Sequence, residues 1–372
     1  MPNRISDDDC YMCRALELAR QGRGWTSPNP MSGAVVVKDN VIVGEGFYPA
    51  FGKSHAEIFA LDAAGGQARG STLYVISEPC QHNNRQACAD RILNAGIERV
   101  VVAAADPNPA STGKGIEALK SAGVVVEVGL AGDQARSLNE PYYKFLATRR
   151  PFVTWYAVMS CDGKVATTIG ERPVAPNECG VELRASNDAV LVGVSTVAQD
   201  DPDIVSSLPR SRNPLRVIVD GMARTPPGCR LLAGPTIPGT RPGTLIVTTR
   251  FAPDDRLREL KEAGAEILVA PEEAEPLTAN VDLRRLMLLL GKREITSLLI
   301  EGSGTLADAA LASGIVDKVI FFIYPAIIGG TSAPSLVGGI GTSFIEEAQQ
   351  LRQLAARPCG DGVLLEAYLA GQ

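Results

Sequence analysis

The chain has 372 residues, 45% of them hydrophobic and 21% charged, with a formal net charge of −6 and a pI near 5.2. That length predicts two domains rather than one core, and the acidic balance argues against a nucleic-acid partner, which would ask for a basic face. The N-terminus MPNRISDDDC has no apolar stretch and no run approaches about 18 apolar residues, so no leader, no membrane partner and a cytoplasmic setting are expected. The 8 cysteines make no dense disulfide framework for a chain this long, which fits a reducing compartment.

In chain order, Ser6 can cap a helix to about Gln21, with Asp7 to Asp9 at its positive N-terminal end. Cys10 and Cys13 form a C-x-x-C on it; a metal role is open, and two small core-facing residues are the better account. Thr26-Ser27-Pro28-Asn29-Pro30 is a rigid loop, either a plain turn or a mount for the Asn29 amide. Ala34–Val37 and Val41–Gly44 predict a hairpin about Asp39-Asn40. A helix is expected from His55 to Ala64, a strand over Leu73–Ile76, a helix from Cys88 to Ala95 and a strand over Val100–Ala104. A helix from Gly115 to Ala122 and a strand over Val124–Val128 follow. The pattern changes over 130–150, and a boundary at 148–151 divides the chain into 1–148 and 149–372. Beyond it, strands are expected at Phe152–Met159, Ala189–Val194, Arg216–Val219, Thr244–Thr248, Glu266–Val269, Ser297–Ile300 and Lys318–Tyr324, with helices between several of them. Such alternation predicts a largely parallel sheet, and 225–243 reads as a long surface loop.

Chemistry concentrates between Ser54 and Cys88, which hold both histidines of the chain and two of its cysteines. His55-Ala56-Glu57, then Pro79-Cys80, then Cys88 supply one imidazole and two thiolates for a zinc ion with an open fourth position. Glu57, two residues from His55, can reach a water at that position without binding the metal. The order H-x-E, then P-C, then C resembles the cytidine-deaminase-like enzymes, which use such a site for hydrolytic deamination. Seven residues separate the cysteines here in place of the usual two.

Two turns in the second half point to a dinucleotide. Gly193-Val194-Ser195-Thr196 follows a strand and precedes Gln199-Asp200-Asp201-Pro202. Glu301-Gly302-Ser303-Gly304-Thr305 leads from a strand into a helix, where glycines let a pyrophosphate approach the amides. A bland connecting turn accounts for Gly302 equally well, and the incomplete glycine pattern argues against an ordinary Rossmann site.

Taken together, the chain resembles, over nearly its full length, the bifunctional riboflavin-biosynthesis RibD family. The matches include Pro28-Asn29-Pro30, His55-Ala56-Glu57, Glu78-Pro79-Cys80, His82, Arg85, Cys88 and Asp106-Pro107-Asn108-Pro109. In the second half they include Ser160, Asp162-Gly163, Leu183-Arg184-Ala185, Gly193, Thr196, Asp200-Asp201-Pro202, Glu301-Gly302 and Thr305-Leu306. The resemblance implies a three-layer α/β cytidine-deaminase-like domain and an α/β dihydrofolate-reductase-like domain. It implies zinc and NADPH as cofactors and a small phosphorylated pyrimidine as substrate, deaminated first and then reduced from a ribosyl to a ribityl chain. Asn29 would meet the pyrimidine and His82 and Arg85 its phosphate arm, with Asp106 and Asn108 also binding the substrate. Ser160 and Arg184 would face the reductase substrate, and Gly193, Thr196, Asp200 and Glu301 to Thr305 the cofactor. Lys114 is a second phosphate candidate or a solvated surface charge.

Three departures fall on the reductase substrate side. Tyr156 stands where a Lys commonly precedes S-x-D-G, the 170–174 segment lacks its Trp, and Asp203 to Ser207 lack an Arg. Arg172, Arg210 and Arg212 are candidate replacements. These departures carry the alternative reading: an active deaminase with a non-catalytic or repurposed second domain, in a specialised pathway. Association into a homo-oligomer through the C-terminal domain is also implied by the resemblance. Lys318–Ile328 reads as an interface or, better, a buried strand.

Overall fold

Along Gly33–Lys38 the side chains of Ala34 and Val36 enter one hydrophobic cluster, while those of Val35 and Val37 enter another. A strand whose alternate residues are apolar on both sides must be covered on both faces, and this sets the layering of the first half. In the computed structural model the described residues are 7–81, 87–172, 177–205, 212–233, 243–270 and 280–370. They form two units, Met1–Thr148 and Arg149–Gln372. No helix among the described residues is long and apolar enough to cross a membrane.

The first unit runs α1 (Asp7–Arg20), β1 (Gly33–Lys38), β2 (Val41–Phe47), α2 (Ala56–Ala64), β3 (Thr72–Ser77), α3 (Cys88–Ala95), β4 (Arg99–Ala104), α4 (Lys114–Ser121), β5 (Val125–Val128), α5 (Gly132–Leu138) and α6 (Glu140–Thr148). Its five-stranded sheet has the order β2-β1-β3-β4-β5, with the β1–β2 hairpin antiparallel and β3, β4 and β5 parallel. Helices α2, α3 and α4 cover one face, and α1 and α5 the other. Asp39 and Asn40 turn the hairpin at positive φ, the conformation a tight two-residue connection needs. Helix α1 buries Met12, Ala15, Leu16 and Ala19, a stripe at helical spacing. Cys10 and Cys13 fall off that stripe and are exposed, so the expectation that they face the core is corrected.

The second unit runs β6 (Phe152–Ser160), α7 (Asn177–Ser186), β7 (Ala189–Gly193), α8 (Val194–Asp200), β8 (Leu215–Val219), β9 (Thr244–Thr248), α9 (Asp254–Glu262), β10 (Ala265–Val269), α10 (Leu283–Lys292), β11 (Ser297–Glu301), α11 (Thr305–Ala312), β12 (Lys318–Tyr324), β13 (Leu351–Cys359) and β14 (Gly362–Leu369). Its sheet has nine strands in the order β10-β9-β8-β7-β11-β6-β12-β14-β13. The first seven in that order are parallel, and β14 and β13 close the far edge antiparallel. Helices α10 and α11 pack on one face, and α7, α8 and α9 on the other.

Several expectations change here. Val194 opens α8 instead of ending β7. The segment after Thr225 is not all surface: Thr225, Cys229 and Leu231 are buried, because the chain there packs under α9 and β9; residues 234–242 lie outside the described residues. Lys318–Tyr324 is an interior strand between β6 and β14. The β13–β14 hairpin was not expected, and Cys179 of α7 is disulfide-paired with Cys359 at its tip, a pairing the cysteine count did not anticipate.

Candidate active site

The deaminase-type residues of the first unit are gathered by close backbone packing. Gly44 and Gly46 of β2 lie under α2, where a Cβ would come within 2.2 Å of the Ala60 carbonyl oxygen and 2.4 Å of that of Ala56. Only glycine permits that approach, and it seats the N-terminus of α2 against the sheet. His55 is the N-cap of α2, edge-on to the Tyr48 ring at 5.1 Å, and Glu57 lies in the first turn. Cys80 follows β3, and Cys88 is the first residue of α3.

One ligand atom from each of His55, Cys80 and Cys88 lies within 4.8 Å of the others. The Cys88 Sγ is 3.3 Å from both the Cys80 Sγ and His55 Nδ1. Zinc bonds of about 2.3 Å to sulfur and about 2.0 Å to nitrogen place tetrahedral ligands roughly 3.5–3.8 Å apart, so a few tenths of an ångström of expansion admits the ion. Of the paired thiols Cys80 ionises first, held well below the usual thiol range by its contact with Cys88 and helped by His55, while that contact and burial push Cys88 up.

Glu57 decides the fit. It is 2% exposed, and its Oε2 has no hydrogen-bond partner in the protein. Burial pushes its carboxyl up to about 7. A buried carboxylate oxygen without a partner is costly unless a polar ligand stands beside it, and a water held at the His-Cys-Cys group would stand there.

The same pocket is lined by Asn29, Ser32, Tyr48, Glu78, Asp106, Asn108, Ser111, Asn139, Tyr142 and Tyr143. Glu78 ties its walls together: its carboxylate accepts from the amides of Asp106, Gly113, Gly115 and Ile116. Asn139, between α5 and α6, donates to the Met31 carbonyl and accepts from the Met31 amide, fastening the Asn29 loop to α6. The Asn29 Nδ2 donates to the Tyr48 hydroxyl at 3.2 Å. Tyr142 donates to Asp106 Oδ1 at 2.8 Å; burial and that carboxylate push its phenol well above its ordinary value, so it stays a donor. Sequence reasoning missed Ser32, Tyr48, Ser111, Asn139, Tyr142 and Tyr143. Their only signal is polar or aromatic character in loops, which spacing does not assign to a pocket. His82 and Arg85 lie outside the described residues, and Lys114 is exposed at the start of α4.

Two family models match the chain: "Cytidine and deoxycytidylate deaminase zinc-binding region" over residues 5–104 and "RibD C-terminal domain" over residues 151–365. The riboflavin biosynthesis protein RibD of Aquifex aeolicus is 36% identical over 96% of this chain and 97% of its own length. The chain belongs to the RibD family. The Escherichia coli RibD is likewise 36% identical, covering 96% of this chain and 98% of its own. Acinetobacter baumannii RibD superposes with a TM-score of 0.83 at 32% identity, over 99% of this chain and all of that one. A Thermotoga maritima diaminohydroxyphosphoribosylaminopyrimidine deaminase/5-amino-6-(5-phosphoribosylamino)uracil reductase gives 0.81 at 29% identity, over 98% and 99%. These matches span both units, so the alternative of an active deaminase with a non-catalytic or repurposed reductase-like domain is not favoured. Zinc and NADPH are the cofactors of an enzyme of this RibD type.

In the second unit the RibD-type reductase residues collect at the carboxyl ends of β7 and β11, which are neighbours in the sheet. From β7 the chain moves through α8 to β8 on one side, and from β11 through α11 to β12 on the other. Such a switch in direction opens the crevice where parallel sheets bind ligands. Gly193 caps α8 and Gly304 caps α11. Gly302 and Gly304 have φ of 157° and 62°, and a Cβ on Gly304 would meet only open space. The Gly304 amide is already engaged by the Leu336 carbonyl, so it is not the donor a pyrophosphate would use. Thr196 lies within α8, and Asp200 at its end is paired with Arg172 at 3.1 Å.

Arg184 of α7 holds Glu301 with two bonds of 2.7 Å, so these two site residues are brought together as a bidentate pair. Tyr156 is in register with Glu301 on the neighbouring strand; it is buried, and its hydroxyl has no partner. Ser160 is buried and donates to Asp162, whose carboxylate accepts from the amides of Ile328 and Gly329; it is engaged in joining that turn to the segment after β12. Of the candidate replacement cations, Arg172 and Arg212 are already paired, with Asp200 and Asp188, and Arg210 lies outside the described residues.

Proposed function

We propose that the first unit hydrolytically deaminates a 2,5-diamino-6-(5-phosphoribosylamino)pyrimidin-4-one, and that the second reduces the ribosyl group of the product to a ribityl chain with NADPH. The observation that carries the first step is the buried Glu57 carboxylate, whose Oε2 has no partner, in the same pocket as the three converging ligand atoms. His55, Cys80 and Cys88 would hold zinc, which when bound supplies an activated water. Glu57 takes a proton from that water and returns it to the departing amine. One C–O bond forms, one C–N bond breaks, and ammonia leaves. Asn29, Asp106 and Asn108 orient the ring, and His82 and Arg85 belong to the segment assigned to its phosphate arm.

For the second step, the crevice between β7 and β11 supports a nicotinamide dinucleotide against Gly193, Thr196, Asp200, Glu301, Gly302, Ser303 and Thr305. Arg184 and Glu301 act there as one unit, facing the reductase substrate with Ser160 bracing the turn nearby. Self-association through the second unit is supported by β13, an edge strand whose Leu351 and Leu354 are exposed beside exposed Phe344 and Ile345. A cytoplasmic setting suits the zinc-binding thiolates of the first unit, which must stay reduced, while the Cys179–Cys359 disulfide of the second unit argues the other way.

The test is sequential. Zinc-loaded protein given the diaminopyrimidine phosphate should release ammonia, and added NADPH should then be oxidised in proportion. Ammonia without NADPH oxidation would leave the deaminase standing and reject the reductase assignment.

A further inference from the structure

The Asp106 carboxylate is held from three directions inside the pocket. Its Oδ1 accepts from the Tyr142 hydroxyl at 2.8 Å and from the Asn108 amide at 3.0 Å, and its Oδ2 accepts from the Ser111 hydroxyl at 2.5 Å. An ionised carboxylate has about four acceptor positions, so these three leave one, on Oδ2. Asp106, Ser111 and Tyr142 all line the pocket that contains His55, Glu57 and Cys80. Tyr142 reaches Asp106 from α6, a helix fastened to the Asn29 loop by Asn139. The rotation of the carboxylate is therefore set jointly by Asn108 and Ser111 of its own loop and by Tyr142 from α6.

We propose that Tyr142 is a positioning residue for substrate recognition: it turns Asp106 so that the one open acceptor on Oδ2 reads a ring N–H of the substrate that is retained in the product. This deepens the deaminase reading and rests on it. A carboxylate clamped in this way prefers an amino- or N–H-bearing heterocycle over one offering only acceptors, because an acceptor there would face the lone pairs of a fixed, half-buried carboxylate oxygen. The contribution belongs to binding in both ground and transition states, so it acts on KM and leaves kcat alone.

Tyr142→Phe keeps the ring and removes only the donor. In the full-length, zinc-loaded enzyme it should raise KM for the diaminopyrimidine phosphate at least about fivefold, with kcat within about twofold and the zinc content unchanged, as expected for losing a bond to a charged group. In an Asp106→Ala background the same substitution should change KM by less than about twofold, since the group it positions is gone. Ser111→Ala, which removes the second hydroxyl, should also raise KM and serves if Tyr142→Phe folds poorly. An unchanged KM in folded Tyr142→Phe (or in Ser111→Ala where Tyr142→Phe does not fold), a loss confined to kcat, or an equal penalty with and without Asp106 overturns the inference. If wild-type protein itself releases no ammonia from the substrate, the deaminase reading fails first and takes this inference with it.

Discussion

Gly115, in the first turn of α4, lies directly against the carbonyl of Pro79: a Cβ there would sit 1.8 Å from that oxygen. The neighbour is backbone and cannot swing away, and the next residue is the proposed zinc ligand Cys80. Gly115→Ala should therefore displace Pro79-Cys80 and weaken zinc binding at least about tenfold, the scale seen when groups that orient metal ligands are disturbed. Titration with a chromophoric chelator measures it. Wild-type affinity would mean the loop tolerates the shift.

In the proposed deamination Glu57 supplies the proton route while His55, Cys80 and Cys88 supply the ligands, so the two roles separate by substitution. Glu57→Gln should retain stoichiometric zinc and lose deamination by about 10²–10⁴-fold. Cys88→Ala should lose zinc and activity together. Metal analysis alongside ammonia release reads both, and full turnover in Glu57→Gln would remove it from the mechanism.

The Tyr156 hydroxyl is buried without a partner, and burial pushes its phenol up to about 12. Removing an unsatisfied buried polar atom while keeping the ring is neutral or favourable, by up to about 1–3 kcal/mol. Tyr156→Phe should unfold at an equal or higher denaturant concentration than wild type. A clear loss of stability would show that the hydroxyl has a partner in solution.

In the first unit Arg99 bridges Asp8 at 2.6 Å and Glu127 at 2.8 Å, and the Tyr74 hydroxyl donates to Asp8. The hydrogen bond from Arg99 holds the Asp8 carboxyl below its usual range, against an opposing effect of burial. A carboxyl whose folded pKa is depressed stabilises the protein fully above its unfolded value, near pH 4, and loses that contribution as pH falls toward the folded value. The group is partly exposed, so after screening the contribution is about 1 kcal/mol or less. Urea unfolding of Asp8→Asn should show a smaller loss of stability than wild type on going from pH 5 to about pH 3. Parallel curves would assign the acid sensitivity elsewhere.

Much of the first unit was legible because its signals are short-range. The continuous apolar run at Ala34–Val37, the Asp39-Asn40 turn and the start of α3 at Cys88 each depend on a few neighbouring residues. The His55, Cys80 and Cys88 ligand set was likewise nameable from type and order alone. The second unit was harder at its far edge. Strand β13 carries Arg352, Arg357 and Pro358 and is exposed almost throughout, so it shows no buried alternation to read. Cys10 and Cys13 were misplaced because a C-x-x-C spacing does not say which side of a helix meets the core.

The residues by themselves determined the local elements and the chemical inventory: an imidazole, a carboxylate and one cysteine at helix starts, a second cysteine after a strand, and glycines after two strands. Tertiary structure decided who meets whom. The Asn139 clamp on Met31 spans 108 positions, the Tyr142 bond to Asp106 spans 36, and the Arg184–Glu301 pair spans 117. Each depends on sheet order, such as the insertion of β11 between β7 and β6. Alternation along a strand says which way side chains point; it carries no information about which strand lies alongside, and that choice comes from packing the whole chain.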